Sequence, residues 1–262
     1  MERNYDGADD VRRNAYRYPD YYEIAFSFRG PPKDVDFLEA AFARFSRLKL
    51  RSVLELASGL SPYLAEWHRR GVGYFGLDLS SHMLAGARAR ARRAGIPLRV
   101  FRRDMNSFRL PSIEVELAYV LLGSLYATSN RQFHSHLDSV ARVLKRGGLY
   151  IMDGVIQARL FGNNRQRWTI RRGGVSVTTT YVPEVIDHLA QTHHEHLVME
   201  VKEKGRRRRI ESRVMHKFFF PQEFVSLVEF RPAFEFVHWC REFDLEKPPR
   251  PDTQNQVILR RL

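Results

Sequence analysis

The chain has 262 residues, of which 44% are hydrophobic and 12% aromatic, a composition typical of a globular protein with one large core and an insertion. No apolar run approaches the roughly 20 residues that cross a bilayer. The first residues lack the apolar core of a signal peptide, and the lone Cys240 excludes an internal disulfide. These features predict a soluble, cytoplasmic protein.

The charge balance is strongly basic, with a formal net charge of +13 and a pI near 10.2. Such a balance suits a nucleic-acid partner, because Lys and Arg displace counterions from phosphate backbones. The arginines are nevertheless spread along the chain, and their densest group lies in "KEKGRRRR", Lys202 to Arg209. A nucleic-acid partner is therefore open but disfavoured.

The first 155 residues alternate helical patterns with short apolar runs, which is typical of parallel βα units. Pro62 at a helix start, and Gly95 and Gly147 just past helix ends, match the residue preferences of helix ends. The predicted helices span 34–48, 62–71, 81–95 and 130–148, and the predicted strands span 52–57, 73–79, 97–104, 115–123 and 149–155.

From Gly154 onward the pattern changes to strict alternation, with turn signals at Gly173-Gly174 and Lys204-Gly205. A helix at 221–230 and strands at 234–243 and 255–262 follow. We therefore predict an α/β fold with a Rossmann-like, doubly wound, mostly parallel seven-stranded sheet, an antiparallel C-terminal strand pair and an antiparallel β insertion.

Four segments follow from this reading. The predicted segments are an N-terminal helical segment or lid (1–50), the core (51–155), the insertion (156–220) and the C-terminal completion of the core sheet (221–262). Because the insertion's long edge strands need a partner or a cover, a homodimer through the insertion is a reasonable expectation.

Polar residues follow the ends of the first three predicted strands. Glu55 to Ser61 follows the first strand with one glycine, Gly59; Asp78 ends the second strand and Asp104 the third. Ligands of open parallel sheets bind at these carboxyl ends, and a nucleotide loop is commonly followed about 20 residues later by a ribose-binding acid. The spacing predicts a cofactor site.

The segments "ELASGLS", "GLDLSSHML", "RRDMNSF" and "LKRGGLYIMD" occur in this order. Together they resemble the motifs of the class I S-adenosylmethionine-dependent methyltransferases, over about residues 52–154. Ala57 and Ser61 stand where that family has the outer glycines of its loop. They can serve there if the backbone does not demand positive φ.

The resemblance implies S-adenosylmethionine as the cofactor and a set of binding residues. Asp78 would bind both ribose hydroxyls, Asp104 would accept from the adenine amino group, and Tyr22 would meet the carboxylate end of the cofactor. The full predicted set is Tyr22, Glu55, Ala57, Ser58, Gly59, Asp78, Leu79, Met83, Asp104, Met105, Leu121 and Gly123. A nicotinamide-binding fold shares the loop and the acid, but the missing outer glycines and the antiparallel ending disfavour it.

Methyl transfer from a sulfonium needs positioning more than a base, although a Tyr, His or Asp can assist proton loss from the acceptor. Candidates are Tyr126 and Ser124 after the fourth strand, Asp153 at the end of the fifth, and Tyr21 near the N-terminus. Of these, Tyr126 and Asp153 are the predicted catalytic residues.

No metal site is predicted from the histidine-rich stretch. On a strand, His194 and His196 share one face while His193 and Glu195 share the other, so fewer ligands converge than zinc requires. The leading hypothesis is a methyltransferase acting on a small molecule. The alternatives are an RNA or ribosome-associated methyltransferase, suggested by the charge, and a non-catalytic S-adenosylmethionine-binding protein, suggested by the altered loop.

Overall fold

The computed structural model describes residues 14–156, 165–251 and 253–262, and within them the chain divides into two units. The larger unit joins the described parts of Gly30–Leu160 and Lys217–Leu262, and the smaller joins those of Met1–Arg29 and Phe161–His216. Of the first 50 residues, those from Gly30 onward therefore lie in the larger unit.

Helices and strands alternate along the larger unit as the periodicity predicts. The helices of the described residues are α1 (Pro19–Ala25), α2 (Pro31–Phe45), α3 (Leu64–Arg69), α4 (Ser81–Ala94), α5 (Asn130–Val143) and α6 (Pro221–Glu229), with a 3-10 turn at Ala15–Arg17. The strands are β1 (Ser52–Leu56), β2 (Gly73–Asp78), β3 (Arg99–Arg102), β4 (Val115–Val120), β5 (Leu144–Asp153), β6 (Gln166–Arg172), β7 (Val175–Asp187), β8 (Thr192–Glu203), β9 (Arg206–Lys217), β10 (Phe234–Arg241) and β11 (Asn255–Arg261).

The larger unit contains a seven-stranded sheet in the order β10-β11-β5-β4-β1-β2-β3. The pairs β1–β2, β1–β4, β2–β3 and β4–β5 are parallel, whereas β10–β11 and β11–β5 are antiparallel. The predicted fold class is confirmed. The strand order reverses at β1, in the middle of the sheet. Because β1 to β5 run parallel, their carboxyl ends lie along one edge.

Both faces of this sheet are covered, which explains the nearly continuous apolar runs of its central strands. Side chains alternate between faces: Leu54 and Met152 belong to one buried cluster, while Val53 and Ile151 belong to the other. Helix α2 packs into the second cluster through residues such as Leu38. This packing holds β1 and β2 rigidly in place beneath the loop that follows β1.

Two predicted helix ends differ in the structure. Gly95 caps α4 with a φ of 67°, as expected, but α5 ends at Val143 and not at the predicted Gly148. Gly147, with a φ of 80°, lies inside β5, and a Cβ on Gly148 would sit 2.6 Å from the Glu116 carbonyl oxygen. The glycine pair thus permits close strand approach at a register shift between β4 and β5, and is not a helix cap. The second difference is a helix start: Pro62, where a helix was predicted to begin, lies in the turn before α3, which begins at Leu64.

The smaller unit contains α1 and a four-stranded antiparallel sheet in the order β6-β7-β8-β9. The predicted tight turns are confirmed: φ is 57° and 78° at Gly173-Gly174, and 45° and 75° at Lys204-Gly205. Val177, Met199 and Val201 form the buried side of the sheet, with Ile24 of α1 in the same cluster. Residues 157–164, which begin the predicted insertion, lie outside the described residues.

Candidate functional site

In the loop after β1, every second residue has a left-handed backbone conformation. Ala57, Gly59 and Ser61 have φ values of 52°, 51° and 53°. Left-handed φ costs about 1–2 kcal/mol for a residue with a Cβ. The condition on which Ala57 and Ser61 could replace glycine, a backbone that does not demand positive φ, is therefore not met. Ser61 N donates to the Ser58 carbonyl at 2.7 Å, which closes the turn. The loop therefore has the backbone of a three-glycine loop with only its central glycine.

Asp78, at the end of β2, holds this loop. Its Oδ2 accepts from the Gly59 backbone N–H at 2.8 Å, and its Oδ1 accepts from the Ser80 N–H at 2.7 Å. Burial raises the pKa of Asp78 above its usual range, against the lowering effect of these backbone hydrogen bonds. One carboxylate thus joins the loop after β1 to the start of α4.

Two apolar side chains flank Asp78. Leu79 is 60% exposed at the carboxyl edge of the sheet, an unusual exposure for a large apolar residue beside a core strand. Met83 is buried in α4, and its Cε lies 3.5 Å from the position of a Cβ on Gly59. Leu79 and Met83 thus form an apolar surface next to the Asp78 carboxylate.

Glu55 lies in the interior of the unit, on the same sheet face as Val53. Its Oε2 accepts a hydrogen bond from the Tyr74 hydroxyl and one from the Tyr119 hydroxyl, the latter at 3.5 Å. Burial raises the pKa of both tyrosines well above the usual range, and the Glu55 charge adds to this effect. The acid at the end of β1 is therefore fixed by two protonated phenols beneath the loop.

Gly76 in β2 is a site residue that the sequence analysis missed. A Cβ there would lie 2.7 Å from the Ser58 Oγ and 3.0 Å from the Val100 Cγ1, closer than side chains normally approach. Gly76 therefore makes room for Ser58, which is itself buried under the loop. The signal in the sequence was a glycine in the middle of a strand.

The segment after β3 carries Asp104 and Met105. Asp104 is exposed, and its Oδ1 accepts from the Asn106 N–H at 2.8 Å. Met105 is buried, and its carbonyl lies 2.8 Å from the His136 Nδ1. Asn106 Nδ2 donates to the Tyr126 carbonyl at 2.9 Å, which joins this segment to the one after β4.

His136, on α5, is a second residue that the sequence analysis missed. Burial lowers the pKa of His136 to about 4, so the ring is neutral near pH 7. Its Nε2 lies 2.6 Å from the Tyr150 hydroxyl. Because Nδ1 faces the Met105 carbonyl, Nδ1 carries the proton and Nε2 accepts from Tyr150. The histidine thus fixes Met105 against the sheet.

The segment after β4 is held by Asp153. Leu121 is buried, and Leu122 and Gly123 follow it in left-handed conformation, with φ values of 59° and 63°. The Leu122 N–H donates to Asp153 Oδ2 at 2.8 Å, and the Gly123 N–H donates to the Asp153 carbonyl at 3.0 Å. The turn is thereby bound to the end of β5.

Asp153 itself has 0% of its surface exposed. Gln254 Nε2 donates to its Oδ2 at 2.6 Å, and Gln256 Nε2 donates to its Oδ1 at 2.7 Å. Burial raises the pKa of Asp153 to about 6 despite these donors. The arrangement is that of a residue that positions the turn after β4, since its carboxylate has no exposed surface on which to meet an acceptor.

The remaining candidates differ in surroundings. Tyr126 is partly buried against the first cluster of the sheet. Tyr22 belongs to the smaller unit, where its ring centroid lies 4.5 Å from that of Phe26. The Tyr21 hydroxyl donates to Glu203 at 2.8 Å, also within that unit. The larger unit therefore contains the predicted cofactor residues between Glu55 and Gly123, whereas Tyr22 belongs to the smaller unit.

The histidine-rich strand follows the predicted alternation. His193 stacks on His216 with centroids 5.2 Å apart, and Glu195 Oε2 lies 2.9 Å from the His216 Nε2. His196 instead faces Glu211 at 3.7 Å. Among the described residues, no group of three or more His, Cys, Asp or Glu side chains is arranged to hold a metal ion.

Comparison with known proteins agrees with this geometry. Residues 53–148 match the family model described as a methyltransferase domain. No curated protein matches the sequence significantly. The family model thus confirms, over this segment, the predicted resemblance to a methyltransferase.

Solved structures share the fold at low sequence identity. An S-adenosylmethionine-dependent methyltransferase of Clostridium acetobutylicum matches with a TM-score of 0.76 and 16% identity, over 92% of this chain and 95% of its own. A sugar N-methyltransferase of Streptoalloteichus matches with a TM-score of 0.73 and 18% identity, over 92% and 93%. An amino pentose methyltransferase of Micromonospora echinaspora matches with a TM-score of 0.67 and 15% identity, over 100% and 98%.

None of the helices in the described parts of the chain is long and apolar enough to span a bilayer. The cytoplasmic location stays a prediction.

Proposed function

We propose that this chain, whose residues 53–148 match the model of a methyltransferase domain, transfers a methyl group from S-adenosylmethionine to a small-molecule acceptor. The observation that carries the proposal is the loop after β1. Ala57 and Ser61 adopt the left-handed conformation of glycines, and Asp78 holds the loop's central N–H group. A strained backbone of this kind persists where the surrounding structure enforces it, commonly at a functional site.

The residues present fit the cofactor. The small side chains of Ala57 and Gly59 permit close approach to the loop backbone. Asp78 accepts from the backbone N–H groups of Gly59, Ser80 and Leu79, and a carboxylate has about four acceptor sites, so it can accept from a ribose hydroxyl as well. The exposed Leu79 would pack on the adenine ring, and the Met105 backbone and Asp104 would meet its polar edge.

Bound S-adenosylmethionine supplies a methyl group already activated on a sulfonium. The chain's own contribution is then to orient the acceptor and exclude water. Leu122 and Gly123, tied to Asp153, would fix the segment that bears Tyr126 and Ser124. In this proposal Asp153 acts through that segment, and Tyr126 orients the acceptor or receives its proton.

An amine nitrogen on a sugar-like molecule is the acceptor class that the neighbours favour. Two structures that match nearly the whole chain are named a sugar N-methyltransferase and an amino pentose methyltransferase. A neutral amine displaces a sulfonium methyl group without prior deprotonation, which suits a site whose buried acid is already saturated with donors. The acceptor itself stays a proposal.

The RNA alternative depends on Arg206 to Arg209, all of which are exposed on β9. Two of the four are engaged within their own unit: Arg209 pairs with Glu211 at 2.5 Å, and the Arg208 guanidinium lies 5.4 Å from the Tyr18 ring centroid. The segment is thus an ordinary charged strand end more than a free basic surface. We retain the small molecule as the proposed acceptor.

The first prediction tests the cofactor site with Asp78→Asn. The amide has one oxygen in place of two and adds a donor toward the backbone N–H groups, so affinity for S-adenosylhomocysteine should fall by about 1.5–3 kcal/mol, the range for hydrogen bonds to charged groups. Calorimetric titration measures this change. The matched control is Glu114→Gln, because Glu114 is an exposed acid at the opposite edge of the same sheet. An unchanged dissociation constant for Asp78→Asn would remove this residue from the site.

The second prediction concerns Tyr126. Tyr126→Phe should lower kcat by about 10²-fold, the lower range for a positioned proton-transfer group, and leave the S-adenosylhomocysteine affinity unchanged. An acceptor screen over amino sugars provides the assay. Full turnover in Tyr126→Phe would mean that another residue orients the acceptor or receives its proton. A loss of cofactor affinity would place Tyr126 in the cofactor site.

A further inference from the structure

An arginine-lined groove lies on the larger unit, beside the segment after β3 that carries Asp104. The cavity has a volume of about 800 Å³ and contains one acid, Asp138. Two serine hydroxyls, those of Ser107 and Ser135, also line it. Its five arginines are Arg103, Arg109, Arg131, Arg142 and Arg231.

The groove exists because residues 103–114, which connect β3 to β4, contain no helix. Parallel strands are usually connected by a helix that packs on the sheet. Here an irregular segment lies against α5 instead: the Phe108 N–H donates to Ser139 Oγ at 3.1 Å, and Arg142 donates to the Phe108 carbonyl at 3.0 Å. Arg131 and Arg142, near the two ends of α5, remain exposed.

The cationic side chains on this face are spaced along the helix. Arg131, Ser135, Asp138 and Arg142 follow helical spacing and share one face. Arg131 and Arg142 are eleven residues apart on α5, which at a rise of 1.5 Å per residue separates their backbone positions by about 16 Å along the helix axis. Because Arg142 is tied to the Phe108 carbonyl, a single phosphate does not reach both ends of the row.

The charges in the groove are unbalanced. Arg231 lies 3.5 Å from Asp138, and this is the closest ion pair of the groove among the described residues. Arg109 and Arg131 are exposed and form no ion pair within the described parts of the chain. Five guanidinium groups against one carboxylate repel one another, and a bound anion would relieve that repulsion.

Guanidinium groups bind phosphate oxygens through paired N–H donors, and a cavity of this size is in the range of small-ligand sites. We propose that this groove binds a small ligand carrying two or more phosphate groups, at a site separate from that of S-adenosylmethionine. The ligand lies along α5, with phosphates between Arg109 and Arg131 at one end and toward Arg142 at the other. This second site goes beyond the proposed methyl transfer.

The test is calorimetric titration of the full chain with inorganic pyrophosphate, with S-adenosylhomocysteine present at saturation. We expect saturable one-to-one binding. The double variant Arg109→Gln/Arg131→Gln should weaken it by about tenfold or more, as expected for charge-assisted hydrogen bonds. The matched control is Arg92→Gln/Arg93→Gln, which removes the same charge from exposed positions of α4 and should leave the affinity within about twofold.

Further measurements make each outcome decisive. Arg131→Lys keeps the charge but removes the paired donors, so it should weaken pyrophosphate binding less than Arg131→Gln. The melting temperature and S-adenosylhomocysteine affinity of every variant check that the larger unit is intact. Inorganic phosphate should bind at least about tenfold more weakly than pyrophosphate, since it offers fewer charged acceptor oxygens to the guanidinium groups.

Four results would overturn the proposal. Absence of saturable pyrophosphate binding would remove the site. Equal weakening in the α4 control would attribute the binding to the overall charge. Equal affinity for phosphate and pyrophosphate would contradict a ligand with several phosphates. Binding of an RNA duplex that Arg109→Gln/Arg131→Gln abolishes, with no heat from pyrophosphate, would assign the groove to nucleic acid instead.

Discussion

Ala57 and Ser61 keep a left-handed backbone although both carry a Cβ. The loop after β1 is fixed at both sides, by the Ser58 N–H that donates to the Leu77 carbonyl at 2.9 Å and by the Gly59 N–H that donates to Asp78. The conformation is therefore imposed by neighbouring strands and not by the local sequence. The altered glycines lower the intrinsic stability of the loop but do not change its shape.

A prediction at this scale compares two Ala→Gly changes. Ala57→Gly removes a left-handed penalty of about 1–2 kcal/mol and adds about 0.4–1 kcal/mol of unfolded-chain entropy, so the free energy of unfolding should rise by about 0 to 1.6 kcal/mol. Ala85→Gly, at an exposed position within α4, should lower it by about 1 kcal/mol. Urea denaturation of both variants measures the difference. Equal losses in the two variants would contradict the strained loop.

At the scale of elements, Asp153 joins three parts of the larger unit. It lies at the end of β5, binds the Leu122 N–H after β4, and accepts from Gln256 of β11. The antiparallel strand β11 thus has a direct part in shaping the acceptor side of the proposed site. Because Asp153 is buried, the stability of the larger unit should also depend on pH.

Asp153 has an unfolded-state pKa of 3.8 and a folded-state pKa of about 6. The folded state therefore binds the proton more tightly, and this group's contribution to stability falls as pH rises from about 4 to about 6, then stays constant. The difference corresponds to about 3 kcal/mol. Asp153→Asn does not titrate. The free energy of unfolding of the wild type minus that of the variant should therefore decrease by most of this amount, about 2.4 kcal/mol, between pH 4 and pH 7.5.

Urea denaturation at several pH values measures that difference. The denaturant slope should be the same in both proteins, which checks that the denatured states are comparable. A difference that stays flat across the window would mean that Asp153 keeps an ordinary pKa in the folded protein.

At the scale of the whole molecule, the net charge of +13 has more than one origin. The row Arg206 to Arg209 lies on the smaller unit, whereas the arginine groove lies on the larger one. Basic residues elsewhere, such as Arg92 and Arg93, are scattered on helix surfaces. Net charge therefore says little about which surface binds an anion.

A whole-molecule prediction follows for RNA. If the acceptor is a small molecule, binding to structured RNA should be no tighter than ordinary non-specific binding, about 10⁻⁴–10⁻⁶ M at physiological salt. Arg206→Gln/Arg207→Gln and Arg92→Gln/Arg93→Gln should then reduce it equally. Filter binding across a salt series measures both. Tight binding that only the β9 variant abolishes would favour the RNA methyltransferase.

Periodicity and spacing alone predicted the seven-stranded sheet, the hairpin turns at Gly173-Gly174 and Lys204-Gly205, and the order of residues along the carboxyl edge. These features depend on neighbours within a few positions, where side-chain alternation and turn chemistry act. The same local signals placed Gly147 at a helix end, because a glycine pair after a helix pattern is ambiguous between a cap and a close strand approach.

Only the tertiary structure decided the roles of Asp153, His136 and Gly76. Asp153 meets Gln254 101 positions away, and His136 meets Met105 31 positions away. Burial, which raises the pKa of Asp153 and lowers that of His136, comes from packing of the whole unit. The arginine groove likewise joins residues from three separate stretches of chain. Such contacts leave no periodic trace, because each depends on distant segments meeting in space.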